Sequence, residues 1–241
     1  MRIRIGATLL FFALMTVALS VRAQIADVTG AIERGNELFH RGAFEQAIFE
    51  YRAALSWPGE HQARAHFNIG VCHHKLGRRR EAVAEYRAAI KLREDHYPSA
   101  SYALGIAHQE LRQYSEAREA FTRAVKGSGG KHSEALFELA LESQRAGDYR
   151  AAVDHYRQAI AQSKDRIPAC HNNLGVILAM SGMLEEATRE FEIAVKQSRG
   201  KSAEASQNLT LCQRMIGAPP SEMIATLKIT EGAPGTAVRA E

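Results

Sequence analysis

Alanine recurs at Ala47, Ala82, Ala117, Ala152 and Ala187, always 35 residues apart, and again seven residues later at Ala54, Ala89, Ala124, Ala159 and Ala194. Between the two alanines stands an aromatic: Tyr51, Tyr86, Phe121, Tyr156 and Phe191 in turn. Twelve residues before each first alanine is a small residue, Gly35, Gly70, Gly105, Ala140 or Gly175. Four rows that hold one residue class through five copies restrict the chain to one supersecondary unit built repeatedly. Such a unit cannot bury its apolar face alone and must stack on its neighbours.

The residues of each unit define its form. Small residues let two helices approach closely while an aromatic fills the space beside them. Within 136–145 and 151–160 the apolar and small residues recur at steps of three and four, the helical period. Between these stretches lies Arg145-Ala146-Gly147-Asp148-Tyr149, with Gly147 placed to end one helix and Asp148 to cap the next. Gly42, Gly77 and Gly182 occupy the same turn in other copies, and Pro98 and Pro168 stand where a first helix opens. Each unit is predicted to be helix A, turn, helix B.

These residues resemble the tetratricopeptide repeat, in which a small residue in helix A faces an Ala, aromatic, Ala series in helix B. The resemblance covers about residues 28–217. It implies an all-α fold, a right-handed α-solenoid of five full repeats, at 28–62, 63–97, 98–132, 133–167 and 168–202, plus a closing helix at 203–217. The 35-residue period exceeds the usual 34 of the family by one residue, which falls in the linker between units. A second departure is the lack of large aromatics at a helix A site where the family often has Trp; Ala31, His66, Ser101, Leu136 and His171 stand there. Residues 218–241 contain Pro219-Pro220 and read as a mostly disordered tail, with a short helix conceivable over 221–229.

Ahead of the repeats, Arg2 and Arg4 precede an uncharged apolar run over 5–20 and the small-residue sequence Val21-Arg22-Ala23. This is the pattern of a secretory signal cleaved after Ala23, leaving 24–27 as a short lead-in. The run is short for a membrane span, which needs roughly 20 apolar residues; the alternative is an uncleaved anchor. The expectation is an exported, periplasmic protein, membrane-associated only if the signal is retained. N-terminal sequencing of exported protein is expected to begin at Gln24, and recovery of Met1 on membrane-bound protein would favour the anchor. Cleavage removes three arginines and no acid, so the formal charge falls from +4 to +1. A near-neutral chain gives no support to nucleic-acid binding, which depends on a surplus of Lys and Arg facing phosphates.

Signals for chemistry are weak. Lys126-Gly127-Ser128-Gly129-Gly130-Lys131 superficially resembles a phosphate-binding loop, but Val125 stands where the first Gly is required and His132 follows the Lys. Nucleotide binding is therefore not expected. His73 and His74 are adjacent on a helix and point about 100° apart, so they cannot readily share one ion. His40 and His74 fall on the inner face of neighbouring A helices and are the one weak metal candidate, so no metal or other cofactor is assigned. Of the three cysteines, Cys72 and Cys212 fall four units apart, too far for a disulfide; Cys170 with Cys212 is the one conceivable pair. No nucleophile with its base, paired carboxylates or metal motif stands at catalytic spacing, and the chain is not expected to be an enzyme.

The resemblance implies a role in binding proteins. In this family helix A lines the concave side, so Phe67, Tyr102 and Phe137 are the candidate groove anchors. Asn36, Asn68, Asn173 and Asn208 form a polar fringe whose amides can donate to and accept from a peptide backbone. The alternative for the aromatics is packing between neighbouring units. The basic residues with which some of these repeats grip a terminal carboxylate are replaced by Ile32, Ser99 and Ala103, which argues against that specificity. The reading is an exported scaffold or adaptor that holds a peptide segment of a partner, in cell-envelope assembly. Alternatives are a self-assembling structural module and a metal-binding accessory protein.

Overall fold

The computed structural model describes residues 29–57, 60–164, 167–216, 224–231 and 239–241. The expected signal segment over 1–23, the lead-in over 24–27 and Pro219-Pro220 lie outside the described residues. The regular elements among the described residues are all helical, with no strand. The helices are α1 (29–40), α2 (Phe44–Ala53), α3 (Glu60–Lys75), α4 (Arg79–Leu92), α5 (Pro98–Glu110), α6 (Tyr114–Gly127), α7 (Ser133–Arg145), α8 (Tyr149–Gln162), α9 (Pro168–Met180), α10 (Leu184–Gln197) and α11 (Ala203–Met215). They alternate as helix A and helix B of the five repeats, with α11 following the last. The chain divides into two compact units, one running to Leu111 and taking in Val238–Glu241, the other Arg112–Ala237. The first therefore holds α1–α5 and the second α6–α11, so the helices of the third repeat fall in different units.

Within each unit the packing is that of an α-solenoid. An A helix lies on its own B helix, as in α3 with α4 and α9 with α10, and the B helix lies on the next A helix, as in α4 with α5 and α8 with α9. The repeated rows explain this. Both alanine rows and the aromatic row between them are fully buried in all five copies. The small row is what the aromatics press against. A Cβ added at Gly70 would stand 2.7 Å from the Tyr86 ring, and one at Gly175 would stand 2.7 Å from Phe191. Only a residue without a side chain lets helix A come this close without displacing the ring.

The turns follow the same period. Gly42, Gly77, Gly147 and Gly182 all have φ between 73 and 79°, and Arg112 occupies the same left-handed position with φ of 59°. An arginine there pays the Cβ clash that glycine avoids. Asp148 caps α8 by accepting from the Ala151 amide at 3.0 Å, and Pro98 and Pro168 are the first residues of α5 and α9. The glycine-rich stretch 126–131 is the end of α6 and the turn that follows it: Gly129 and Gly130 turn the chain with positive φ, and the Gly130 amide donates to Val125 O at 2.8 Å.

The described residues of the tail include a 3₁₀ turn at Ile224–Thr226, followed by non-helical residues 227–231. Of the short helix conceivable over 221–229, residues 221–223 lie outside the described residues and 224–229 show only that turn; the residues after it bond to α9 and α11.

Candidate functional site

The A helices place asparagines at matching positions, and both units use them on the main chain of the tail. In the second unit Asn173 of α9 and Asn208 of α11 stand one 35-residue period apart, and both are fully buried. The Lys228 amide donates to Asn208 Oδ1 at 2.9 Å while Asn208 Nδ2 donates to Lys228 O at 2.7 Å. The Thr230 amide donates to Asn173 Oδ1 at 2.7 Å while Asn173 Nδ2 donates to Thr230 O at 2.9 Å. Each side-chain amide thus engages both the donor and the acceptor of one residue, as a neighbouring β-strand would. The two residues engaged are two apart, the period at which an extended chain turns its amides to the same edge.

Asn172 links these two clamps. Its Nδ2 donates to Lys228 O at 3.0 Å and to Thr230 Oγ1 at 3.1 Å, and its Oδ1 accepts from Asn208 Nδ2 at 2.9 Å. Behind it, Asn173 Nδ2 donates to the Tyr156 hydroxyl at 3.1 Å, and that hydroxyl donates to Gln144 Oε1 at 2.9 Å. The asparagines are therefore held by a network reaching the aromatic row, which orients buried amides that would otherwise be costly. Burial raises the Tyr156 hydroxyl pKa far above its ordinary value, so it remains a neutral donor.

The first unit contains the same device. Asn68 Oδ1 accepts from the Glu241 amide at 2.7 Å and Asn68 Nδ2 donates to Glu241 O at 2.6 Å. Arg64 Nε donates to the same oxygen at 2.8 Å, and the Tyr97 hydroxyl donates to Glu241 Oε2 at 2.8 Å. Asn36 stands behind Asn68, accepting from Asn68 Nδ2 at 3.3 Å and from the Tyr51 hydroxyl at 2.7 Å. It supports the clamp from behind, through Asn68 and Tyr51.

The aromatic candidates are inside. Phe67 is 2 % exposed, with its ring centroid 5.9 Å from that of Tyr86 and 5.3 Å from that of Tyr97. Phe137 has no exposed surface and lies 5.8 Å from Tyr156, and Tyr102 is 8 % exposed. Rings packed in this way leave little surface for a partner to touch. Arg64, Tyr97 and Asn172 carry contacts to which the sequence reading gave no role. Asn172 stands 35 residues after Phe137, in register with Phe67, Tyr102 and Phe137, and that register is its signal in the sequence.

The remaining candidates have structural partners. His74 Nε2 lies 3.0 Å from Glu110 Oε1, His40 is exposed beside Phe39, and no group of three or more His, Cys, Asp or Glu among the described residues could hold a metal ion. All three cysteines are free and buried, so Cys170 and Cys212 do not pair; Thr188 Oγ1 donates to Cys212 Sγ at 3.5 Å. Burial, reinforced by Glu45, pushes the Cys72 thiol up to about 12, and burial raises that of Cys170 further. No helix among the described residues is long and apolar enough to cross a membrane.

Comparison with known proteins agrees with the packing. Two tetratricopeptide-repeat models match the chain, one over residues 63–96 and the other over 102–141 and 137–203, together more than half of its length. No curated protein matches significantly. Among solved structures, pilF of Pseudomonas aeruginosa superposes with a TM-score of 0.69 at 18 % identity, over 85 % of this chain and 90 % of that one. MamA gives 0.60 at 21 %, over 69 % and 95 %. YrrB, described as a TPR protein with an unusual peptide-binding site, gives 0.56 at 21 %, over 77 % and 88 %. At these identities the likeness is one of fold, and with the repeat models it assigns the chain to its family: it belongs to the tetratricopeptide-repeat proteins.

Proposed function

We propose that this chain is an exported scaffold that holds an extended segment of a partner protein against the asparagines of its A helices, in the assembly of the cell envelope. Repeats of this family are generally non-catalytic scaffolds, and YrrB provides a precedent for peptide binding on the same fold. The observation that carries the reading is the paired hydrogen bonding of Asn173 and Asn208 to a main chain. Side-chain amides that engage backbone alone accept many sequences, provided the segment is extended; a helical segment has already used its N–H and C=O groups internally. Export rests on the basic start, the apolar run and the Val21-Arg22-Ala23 sequence. The cell-envelope role follows from export and from the family resemblance.

The test is a photo-crosslinking residue in place of Gln207, which is exposed, directly precedes Asn208 and is in register with Asn172. In the native host it should yield a discrete partner adduct. Adding Asn208→Ala removes two hydrogen bonds to the ligand backbone, each with a net worth of about 1 kcal/mol, which weakens binding to the open groove about thirtyfold and should lower adduct yield accordingly. Adducts formed only from a probe on the outer face of a B helix, such as at Glu192, would place binding elsewhere.

A further inference from the structure

On the asparagine reading given above, we propose that residues 227–230 are an in-built ligand of the unit formed by α6–α11. An outside partner must then match their form: an extended stretch with apolar side chains at alternate positions. The alternation is visible in the segment itself. Lys228 and Thr230 give their amides and carbonyls to Asn208 and Asn173. Leu227 and Ile229, on the residues between, pack against the apolar core that includes Phe137, Leu174 and Val176. The Lys228 side chain is exposed, as is Glu231, whose Oε1 lies 3.5 Å from Arg145 Nη2. The main chain thus supplies the hydrogen bonds, and two apolar side chains supply the desolvated area. This division is expected of a strand-like ligand on a helical groove.

The surface has room for more than the segment fills. A cavity of about 400 Å³ opens beside Leu227 and Ile229, lined also by Tyr149, Val176 and Met180. A partner with a larger apolar residue at either position could use that space, which gives an outside ligand a way to outbid the internal one. The tether explains why it must compete. Only eight residues separate Met215, the end of α11, from Ile224. A linker this short holds its ligand at an effective concentration of about 1 mM or more. A micromolar outside peptide would then bind the intact chain far more weakly than it binds a chain whose own segment has been released.

The experiment uses the full chain and a fluorescein-labelled synthetic peptide of residues 224–231, followed by fluorescence anisotropy. Leu227→Asp with Ile229→Asp releases the internal segment without touching any helix, and helical content by circular dichroism should be unchanged. Labelled peptide should bind this variant at least tenfold more tightly than the unaltered chain, and adding Asn208→Ala should erase the gain. Hydrogen exchange gives a second readout: the Lys228 and Thr230 amides should be protected in the unaltered chain and exchange freely in the released variant. No gain on release, a gain that survives Asn208→Ala, or unprotected amides in the unaltered chain would each overturn the in-built ligand. If these fail while the Gln207 probe still captures a partner in an Asn208-dependent way, the groove stands and only its internal occupant is lost. If the crosslinking also fails, the groove reading falls with it.

Discussion

Phe137→Ala should lower the stability of the unit that contains it by about 3–5 kcal/mol, the range for removing a buried aromatic ring and leaving a cavity. The ring has no exposed surface, packs 5.8 Å from Tyr156 and sits in the core cluster with Leu136, Leu141 and Leu174. Small repeats have no distant core to absorb such a loss, because each touches only its neighbours. Chemical denaturation followed by circular dichroism would measure the effect. Phe49→Ala is the control: Phe49 is also a helical phenylalanine but is 75 % exposed, and its loss should change stability by no more than about 0.5 kcal/mol. The pair also decides what the inner aromatics do. If Phe137→Ala leaves stability unchanged and weakens partner capture, the ring is an anchor and the asparagines are not the main contact.

Tyr156→Phe and Tyr86→Phe should have opposite signs, although the two tyrosines are in equivalent positions of their repeats. The Tyr156 hydroxyl accepts from Asn173 and donates to Gln144. Its removal takes a partner from the buried Asn173 and the half-buried Gln144 and should cost about 1–3 kcal/mol. It should also loosen the Asn173 clamp, measurable as faster exchange of the Thr230 amide. The Tyr86 hydroxyl is buried with no hydrogen-bond partner among the described residues, and burial drives its pKa far above the ordinary value. Removing it relieves a desolvation cost and should be neutral or stabilising by about 1 kcal/mol. A loss from Tyr156→Phe no larger than that from Tyr86→Phe would mean that the hydroxyl's bonds to Asn173 and Gln144, and so the network behind Asn173, contribute little.

The helix pairs were legible in the chain because close packing is periodic and intolerant. A residue that must be small opposite a ring that must be large leaves the same mark in every copy. The alanine and aromatic rows are accordingly buried without exception. The turns were legible for a related reason, since a left-handed residue favours glycine; Arg112 escaped notice because the position was filled against that preference. The asparagines were also visible, as amides on the inner face at one-period spacing, able to serve a peptide backbone.

What they hold was not. Nothing in the tail marks Lys228 and Thr230 as ligands, because the contact is made by their backbone, which every residue shares. The aromatic row shows the same limit from the other side. Sequence register puts Phe67, Tyr102 and Phe137 on the A helix face where a groove is expected, yet a ring on that face can turn outward to a partner or inward to its neighbour. Rotamer and packing decide between these, and Phe67 lies against Tyr86 and Tyr97, Phe137 against Tyr156. The sequence by itself determined the repeat, its helices and the positions of the asparagines, because those depend on residue size and period. Only the tertiary structure decided which of the inner residues are spent on packing and which main chain the asparagines meet, because both depend on contacts between segments far apart in the chain.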